Sequence, residues 1–515
     1  MAARRPAPLT RPDAGIRPRH RTRRTRSRRG VLLSLLALAL VVSGGLVAGT
    51  AAYRQQHSPA PKGAVGSAGN KSPQATPAPT DRPAGPGLWA ATPSPVANVL
   101  SPLEKLPSNA PKPTTAGLTK ALAPLLADPA FAGDTISLVV ADPLTGSVLF
   151  DSHGADPVLP ASTAKLAVAI AAIEVLGAEH RFTTQAVLSG TDQVVLVGGG
   201  DPTLAGPKAV GAADPGFPAP ARLTDLAKQA ASALKSQGIS RVSLGYDDSL
   251  FVGAPTAPGW KPTYISEGDV APVTALEVDE GQLDLKKPGR AADPAVVAAQ
   301  QFGALLTANG IAVAGAPTAT HTAGARSIAA VQSPTVGALV QRMLGRSDND
   351  LAEALARQVA IASGQPATFA GGAQAVRTAV AKLGVAASGI AMVDGSGLSR
   401  NDRIRPQTLV QMVDTLLSPG HPELSPVIQG LPVAGFTGTL ATRYTTSPAA
   451  AAGGLVRAKT GTLDGVVALA GFLQDTSGRV LSFAIVASGV ANNATSKSEA
   501  ALDRVTAGLA GCGCS

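Results

Sequence analysis

Three things are scarce in this chain of 515 residues: cysteine, aromatic side chains, and net charge outside one short arm. The cysteines are Cys512 and Cys514 alone. A single residue between them makes a tight ring, so the spacing argues against a structural bridge. Two thiols are also too few for a closed zinc site. The pair reads as an incidental tail. No run of His, Asp and Glu carries metal-ligand spacing, so the expected complement is no metal and no cofactor. Aromatics make up 3% of the chain while hydrophobic residues make up 45%, so alanine supplies much of the apolar content. That is too little ring surface for a platform on which single-stranded nucleic acid could stack. The net charge is +10, yet the eleven arginines and one aspartate of Met1–Arg29 account for all of it. The remainder of the chain is neutral as a whole, which argues against a nucleic-acid partner.

A basic arm of this kind is either a nucleic-acid tail or the cytoplasmic flank of a membrane segment. The adjoining segment decides between them. Gly30–Ala52 is 23 residues without a charge, enough to cross about 30 Å of hydrocarbon as a helix. The apolar stretch of a cleavable signal is shorter, about 7–15 residues. Arginines before the span and none within it place residues 1–29 in the cytoplasm and everything after Tyr53 outside. The expectation is a single-pass anchor in the cell membrane with an extracytoplasmic body. The small residues at Ala48–Ala52 keep a cleaved signal, and secretion, as the alternative. Residues 53–114 are rich in Pro, Ala, Ser, Thr and Gly and poor in large apolar residues. They cannot bury enough surface to offset chain entropy, so a disordered linker is expected.

Ordered structure is expected from about Thr115. Thr135–Ala141 and Ser147–Asp151 flank the turn Asp142-Pro143-Leu144-Thr145-Gly146 and read as a hairpin. Ala161–Leu176 is an Ala-rich helix. Asp293-Pro294 reads as an N-cap followed by a first-turn proline, opening a helix to Asn309. Helices continue at 335–344, 350–362, 370–383 and 406–416. Strands return at Gly454–Lys459, Val466–Gln474 and Val480–Val486, before a last helix at 496–509. Strand pairs at both ends with helices between them predict one α+β domain whose sheet is completed by both ends of the chain.

The chemistry begins at Ser162. Serine is a weak nucleophile and needs a base beside it. A lysine serves if burial lowers its proton affinity, and residues three apart share a helix face. Ser162-Thr163-Ala164-Lys165 meets that requirement at a helix start, where free backbone amides can stabilise an oxyanion. The spacing alone is weak, since Ser232-Ala233-Leu234-Lys235 repeats it within an amphipathic helix. Ser347-Asp348-Asn349 could be no more than a helix cap, and Ser399–Asn401 repeats that pattern too. Lys459-Thr460-Gly461-Thr462 could be a strand-to-turn corner, but its cation, hydroxyls and glycine would suit an anionic acyl donor. The order Ser162–Lys165, Ser347–Asn349, Lys459–Thr462 is what singles these three out. It is the pattern of active-site-serine penicillin-recognising enzymes.

Within that group the sequence resembles the class C low-molecular-mass penicillin-binding proteins, the D-alanyl-D-alanine carboxypeptidase/endopeptidase family. Further stretches carry the likeness: Gly199-Gly200-Asp201-Pro202-Thr203-Leu204, Tyr246–Phe251, Ala271–Leu276, Asp394-Gly395-Ser396-Gly397-Leu398-Ser399 and Gly438-Thr439-Leu440. Thr437 departs from it, standing where an acidic residue is more usual. The resemblance implies a β-lactamase-like transpeptidase domain, with an antiparallel sheet flanked by helices, at 115–184 and 318–511. The 185 residues from Ser162 to Ser347 leave room for an inserted, β-rich region at 185–317.

The resemblance also implies roles. Ser162 would attack the terminal D-Ala-D-Ala bond of a peptidoglycan stem peptide, and Lys165 would take its proton. Ser347 would relay a proton to the leaving D-alanine with help from Lys459. Asn349 would hold Lys165 and the substrate amide. The backbone amides of Ser162 and Thr462 would form the oxyanion hole, and Thr460, Gly461 and Thr462 would bind the substrate. β-Lactams would be trapped at Ser162 as covalent inhibitors. The sequence leaves three alternatives open: an endopeptidase for D-Ala-meso-diaminopimelate-type crosslinks, a serine β-lactamase, and a non-catalytic wall-binding module.

Overall fold

The computed structural model describes residues 109–207, 217–284, 286–322 and 325–514. The basic arm at 1–29, the apolar segment at 30–52 and the linker up to residue 108 lie outside them. Among the described residues, no helix is long and apolar enough to cross a membrane. The last residues assigned to the linker are not free chain. Arg479 donates to the Ala110 carbonyl at 3.2 Å, and Ser477 donates to that of Pro111 at 3.3 Å.

The chain opens with helix α1 (Thr115–Leu126), capped by the Thr114 hydroxyl, which accepts from the Gly117 amide. The expected hairpin follows as β1 (Thr135–Asp142) and β2 (Ser147–Ser152), with the Asp142 carboxylate accepting from the Leu144 amide to pin the turn. Helix α2 (Lys165–Leu176) comes next. Beyond it are β3 (Thr183–Ser189), β4 (Gln193–Val197), α3 (Leu223–Ser236), β5 (Arg241–Asp247), α4 (Pro294–Ala308), β6 (Ala312–Ala319) and β7 (Arg326–Gln332). Asp293 caps α4 by accepting from the Val296 amide at 3.0 Å, with Pro294 in the first turn as expected. Helices α5 (Val336–Arg346), α6 (Asn349–Ala362) and α7 (Phe369–Lys382) follow, then the two-residue strands β8 (Ile390–Ala391) and β9 (Arg403–Ile404), and helix α8 (Pro406–Leu417). The chain closes with β10 (Val456–Leu463), β11 (Val466–Gln474), β12 (Val480–Ser488) and α9 (Thr495–Ala510).

Two five-stranded sheets result. The first, β10-β11-β12-β1-β2, is antiparallel throughout and joins both ends of the chain at the β1–β12 ladder. It is the expected α+β architecture. The second, β6-β5-β4-β3-β7, is mixed, with β4, β5 and β6 parallel. Parallel neighbours need a long crossover, and α3 and α4 are those crossovers. This second sheet starts at Thr183 and ends at Gln332, past the expected limit at 317. Its two edge strands, β6 and β7, were not foreseen. Both are largely exposed on both faces, so neither displays the apolar alternation by which a strand is read from sequence. Pro317 is tolerated in β6 because an edge strand need not donate on both sides.

Burial explains the layering. Helix α2 is apolar on nearly every side, and a helix apolar all round belongs in an interior. Leu166 to Ala172 have no exposure at all, packed among α5, α6, α7 and α8 on one face of the first sheet. The other face is covered by α1 and α9 through Leu118, Leu122, Leu502, Val505 and Leu509. The second sheet has its own core beneath α3 and α4, including Leu226, Leu234, Phe302 and Leu306.

Cys512 and Cys514 correct the reading of an unpaired tail: the two are joined as a disulfide. Their Cα atoms are 5.1 Å apart, within the span a disulfide bridges. The Cys514 carbonyl accepts from the Thr114 amide at 2.8 Å, tying the end of the fold to its start.

Candidate active site

Ser162 lies on a 3-10 turn, Ala161–Ala164, that runs directly into α2. An α-helix was expected over this whole stretch. In a 3-10 turn residues i and i+3 eclipse each other, which aligns Ser162 with Lys165 more closely than an α-turn would. Lys165 Nζ donates to Ser162 Oγ at 2.9 Å, to Asn349 Oδ1 at 2.6 Å and to the Ser396 carbonyl at 2.6 Å. Asn349 is oriented by its own amide group, which donates to the Asp269 carbonyl at 2.7 Å.

These three partners determine what a neutral Lys165 would do. Two of them, Asn349 Oδ1 and the Ser396 carbonyl, can only accept. An uncharged amine has two N–H groups to give them, so its lone pair is left for the Ser162 hydroxyl. Burial favours that state. The side chain has no solvent exposure, and desolvation pulls its pKa down to about 8. Asp394, Glu353, Asp348 and Asp350 act against this by stabilising the ammonium.

Ser347 closes α5 in the left-handed conformation, with φ of 59°. The capping role that the sequence also allowed falls to Asp348, which accepts from the Leu351 amide at 3.0 Å. Ser347 Oγ is thereby left to accept from Lys459 Nζ at 2.8 Å. Lys459 also donates to the Thr460 carbonyl at 2.8 Å. Burial, and then the neighbouring charge of Lys165, hold the Lys459 pKa well below the usual lysine value.

The Lys459-Thr460-Gly461-Thr462 motif lies within β10 rather than at its end, because the strand continues to Leu463. β10 is an edge of the first sheet; its outer side bonds to the 432–434 segment at Val456 and Ala458, which leaves the motif beyond them as the stretch that can pair with an extended peptide. A Cβ on Gly461 would lie 2.9 Å from the Pro160 carbonyl and 3.2 Å from Ala161 Cβ. Glycine is what lets the strand close on the Ser162 turn. Thr460 Oγ1 pairs with Thr439 Oγ1 at 2.8 Å, and Thr462 Oγ1 donates to Glu499 at 2.9 Å.

The structure thus gathers Ser162, Lys165 and Asn349 into one hydrogen-bonded group and Ser347 with Lys459 into another. The other two matches stay apart. Ser232 and Lys235 are exposed on α3, and Ser399 Oγ is engaged with the Pro258 carbonyl at 2.7 Å.

Several contributors had no assigned role in the sequence reading. The Ser396 carbonyl is held in place because the amides of Gly395 and Ser396 donate to buried Glu353 at 3.1 and 2.8 Å. Asp394 braces the same loop, accepting from the amides of Gly397 and Ser399 and from Trp260 Nε1 at 2.6 Å. The positive φ of Gly397, 80°, and its close approach to the Ala161 carbonyl explain the Asp-Gly-Ser-Gly run. Thr439 and Asp269 complete the set. Behind Asn349, oxygens of Glu280, Asp348 and Asp350 lie within 4.8 Å of one another. Arg342 pairs with Glu280 and, at 3.3 Å, with Asp348, while Arg290 reaches Asp350 at 3.4 Å. Two guanidinium groups offset part of the charge of these three carboxylates, and burial, then the neighbouring Asp348 charge, raises the Glu280 and Asp350 pKa values to about 8 and about 7.

Comparison with known proteins agrees with the geometry. The model of a family described as D-Ala-D-Ala carboxypeptidase 3 (S13) matches residues 118–289 and 285–509. The chain is 38% identical over 412 residues to carboxypeptidase DacB of Mycolicibacterium smegmatis, covering 79% of this chain and 86% of that one. It is 35% identical over 412 residues to a carboxypeptidase of Mycobacterium tuberculosis, covering 78% of this chain and 85% of that one. The crystal structure of penicillin binding protein 4 from Haemophilus influenzae superposes with a TM-score of 0.62 at 21% identity, covering 77% of this chain and 98% of that one. At that identity the structural likeness is one of fold.

Proposed function

The chain belongs to the S13 family of D-Ala-D-Ala carboxypeptidases, class C low-molecular-mass penicillin-binding proteins, and we propose that Ser162 is the acylated residue through which it trims peptidoglycan stem peptides. The observation that carries this reading is the set of three partners around Lys165, which leaves a neutral amine only the Ser162 hydroxyl to accept from.

Lys165 Nζ takes the Ser162 proton as Oγ attacks the carbonyl carbon of the D-Ala-D-Ala bond. The oxyanion is held by the backbone amides of Ser162 and Thr462. The carbon–nitrogen bond breaks as Ser347 Oγ passes its proton to the leaving nitrogen, and Ser347 recovers a proton from the lysine pair. The proton lost by Ser162 therefore ends on the departing D-alanine. Thr460 and Thr462 receive its carboxylate. Water then attacks the ester with Lys165 again as base, which releases the shortened peptide and restores the serine. In a β-lactam the leaving nitrogen stays tethered to the acyl group, so the acyl-enzyme persists. No step calls for a metal or a cofactor.

The test is labelling with a fluorescent penicillin and peptide mapping, together with D-alanine release from a pentapeptide. The label is expected on Ser162 and is expected to vanish in Ser162→Ala. Label on another residue, or undiminished label in the variant, refutes the assignment. A non-catalytic wall-binding module would have no reason to keep all three motifs in one hydrogen-bonded site. We also read residues 30–52 as the anchor that holds this enzyme on the outer face of the cell membrane. The uncharged length of that segment and the arginines before it support this reading. Recovery of the full chain in the soluble fraction without detergent would refute it.

A further inference from the structure

Arg357 is buried where an apolar side chain would pack at least as well. It lies on α6, one turn after Glu353 and on the same helix face, and both side chains are only 1% exposed. Its guanidinium carbon is 4.0 Å from the ring centre of Phe369 and 5.8 Å from that of Phe251. Nη1 donates to the Glu353 carbonyl at 3.3 Å and to Glu353 Oε2 at 3.5 Å. Nη2 is buried and has no hydrogen-bond partner. A buried ion pair often adds nothing to stability over well-packed apolar residues, and an unmatched buried N–H costs free energy. Packing alone therefore does not explain an arginine here.

Its partner does explain it. Glu353 receives the Gly395 amide at 3.1 Å on both carboxylate oxygens and the Ser396 amide at 2.8 Å on Oε1. An ionised carboxylate only accepts, whereas a protonated one turns an oxygen into a donor. A proton on either oxygen of Glu353 would face one of these N–H groups. The loop is thus held in its present form by the charged group, and its Ser396 carbonyl accepts from Lys165 Nζ at 2.6 Å. The carboxyls around Glu353 act against that charge: Asp350 on the same helix, and Asp394 and Asp402 from the 394–402 loop. Burial pushes the Glu353 pKa up to about 7, Asp394 adds to this and Arg357 opposes it. Lys165 also faces Glu353, but it gives up its charge to act as base. Arg357 is the cation that stays, because a guanidinium is effectively always protonated.

We propose that Arg357 is a positioning residue for acylation: held between Phe251 and Phe369, it keeps Glu353 a carboxylate, and Glu353 in turn aims the Ser396 carbonyl at Lys165. The inference rests on the Ser162 acyl-enzyme reading and adds a residue to it. Arg357 touches neither Ser162 nor Lys165 and acts through Glu353 alone. Without the guanidinium, Glu353 takes up a proton. The Lys165 ammonium then loses a stabilising anion, and the loop loses one of its acceptors. The base becomes neutral at lower pH, but the carbonyl that orients it is less firmly placed.

The experiment follows the rate of penicillin acylation across about pH 5.5 to 9 in the wild-type full chain, Arg357→Met, Arg357→Lys, Glu353→Gln and the double variant Glu353→Gln/Arg357→Met. Arg357→Met is expected to lower the midpoint of the profile by about one pH unit and to slow acylation above it about tenfold. Arg357→Lys keeps the cation and should hold the midpoint at the wild-type value. Adding Arg357→Met to Glu353→Gln should move the midpoint no further, because the group through which Arg357 acts is already neutral. The double variant leaves no unpaired buried charge, so this comparison stands even where Arg357→Met alone does not fold. An unmoved midpoint in Arg357→Met, a midpoint in Arg357→Lys as low as that of Arg357→Met, or a further shift in the double variant overturns the role given to Arg357 and leaves the Ser162 reading intact. Absence of Ser162 acylation in the wild-type chain overturns both.

Discussion

The start of α2 and the end of α3 carry the same four-residue pattern and do different things. Ser162 and Lys165 sit at a helix entrance with the lysine fully buried, bonded to Asn349 and to the Ser396 carbonyl. Ser232 and Lys235 lie on the solvent face of a crossover helix in the second sheet. A spacing of three residues puts a hydroxyl and an amine on one helix face in both places, and only Lys165 is bonded to its serine, at 2.9 Å. Only at the first is the amine removed from water and surrounded by acceptors. Reactivity therefore comes from the shell around the pair and not from the pair. That shell is assembled from elements far apart in the chain: α6, the 394–399 loop and β10.

The largest effect should come from breaking the buried pair. Lys165→Ala is expected to slow penicillin acylation roughly ten-thousandfold, at the upper end for loss of a general base, with thermal stability changed little. Acylation kinetics followed by mass spectrometry measure it. A loss below about tenfold would mean that another group activates Ser162.

The same pair should give acylation a pH dependence with a definite sign. Burial lowers the Lys165 pKa to about 8, and the neutral amine is the base. Acylation should therefore rise roughly fiftyfold from pH 6 to pH 8 and level off above that, as the neutral fraction saturates. Stability has a linked trend. The folded value lies below the ordinary 10.5, so between about pH 8 and 10.5 the unfolded chain binds more protons. This group then makes stability rise with pH across that window. Glu353, pushed up to about 7 by burial, favours the Lys165 ammonium when ionised. Glu353→Gln should move the midpoint of the acylation profile down, and an unmoved midpoint would show that this carboxyl only positions the loop.

A smaller loss is expected at Gly461. An added methyl would meet the Pro160 carbonyl, a backbone atom that cannot swing aside. Gly461→Ala should push β10 away from the Ser162 turn, costing about 1–3 kcal/mol of stability and roughly tenfold in acylation. Thermal unfolding and acylation rates measured together would check it. A variant with wild-type values for both would show that β10 has more freedom than the geometry allows.

The same contrast explains how much of the fold and site was legible in the sequence. Ser162, Lys165, Ser347, Asn349 and Lys459 could be named because side-chain type and order along the chain carry their identity. The helix starts at Asp293-Pro294 and Ser347–Asn349 were legible because caps act locally. The Ser396 carbonyl was not, since any residue has one and only the fold aims it. Glu353 and Asp394 act on Lys165 through a loop, at a distance that spacing does not reveal. β6 and β7 escaped because an edge strand exposed on both faces shows no apolar stripe. The Cys512–Cys514 pairing was misread by treating proximity in sequence as a geometric bar, where the backbone opens the Cα separation to 5.1 Å.

The smallest effect should be at the second pair, and it completes the comparison. Lys235 lies in the last turn of α3, where a cation meets the carbonyl end of the helix dipole, a contribution of about 0.3–1 kcal/mol for an exposed group. Lys235→Ala removes that favourable term but replaces lysine with the better helix former, so the net loss should be a few tenths of a kcal/mol. Ser232→Ala, also exposed, should change less, since surface substitutions usually stay within about 0.5 kcal/mol. Neither should move the acylation rate or its pH midpoint, because neither residue belongs to the shell around Lys165. Denaturant unfolding and acylation of the Ser232→Ala/Lys235→Ala double variant measure both quantities at once. A shift in the pH midpoint would show that the second sheet reaches the catalytic amine through the fold, and the two pairs would then not be as separate as their surroundings make them.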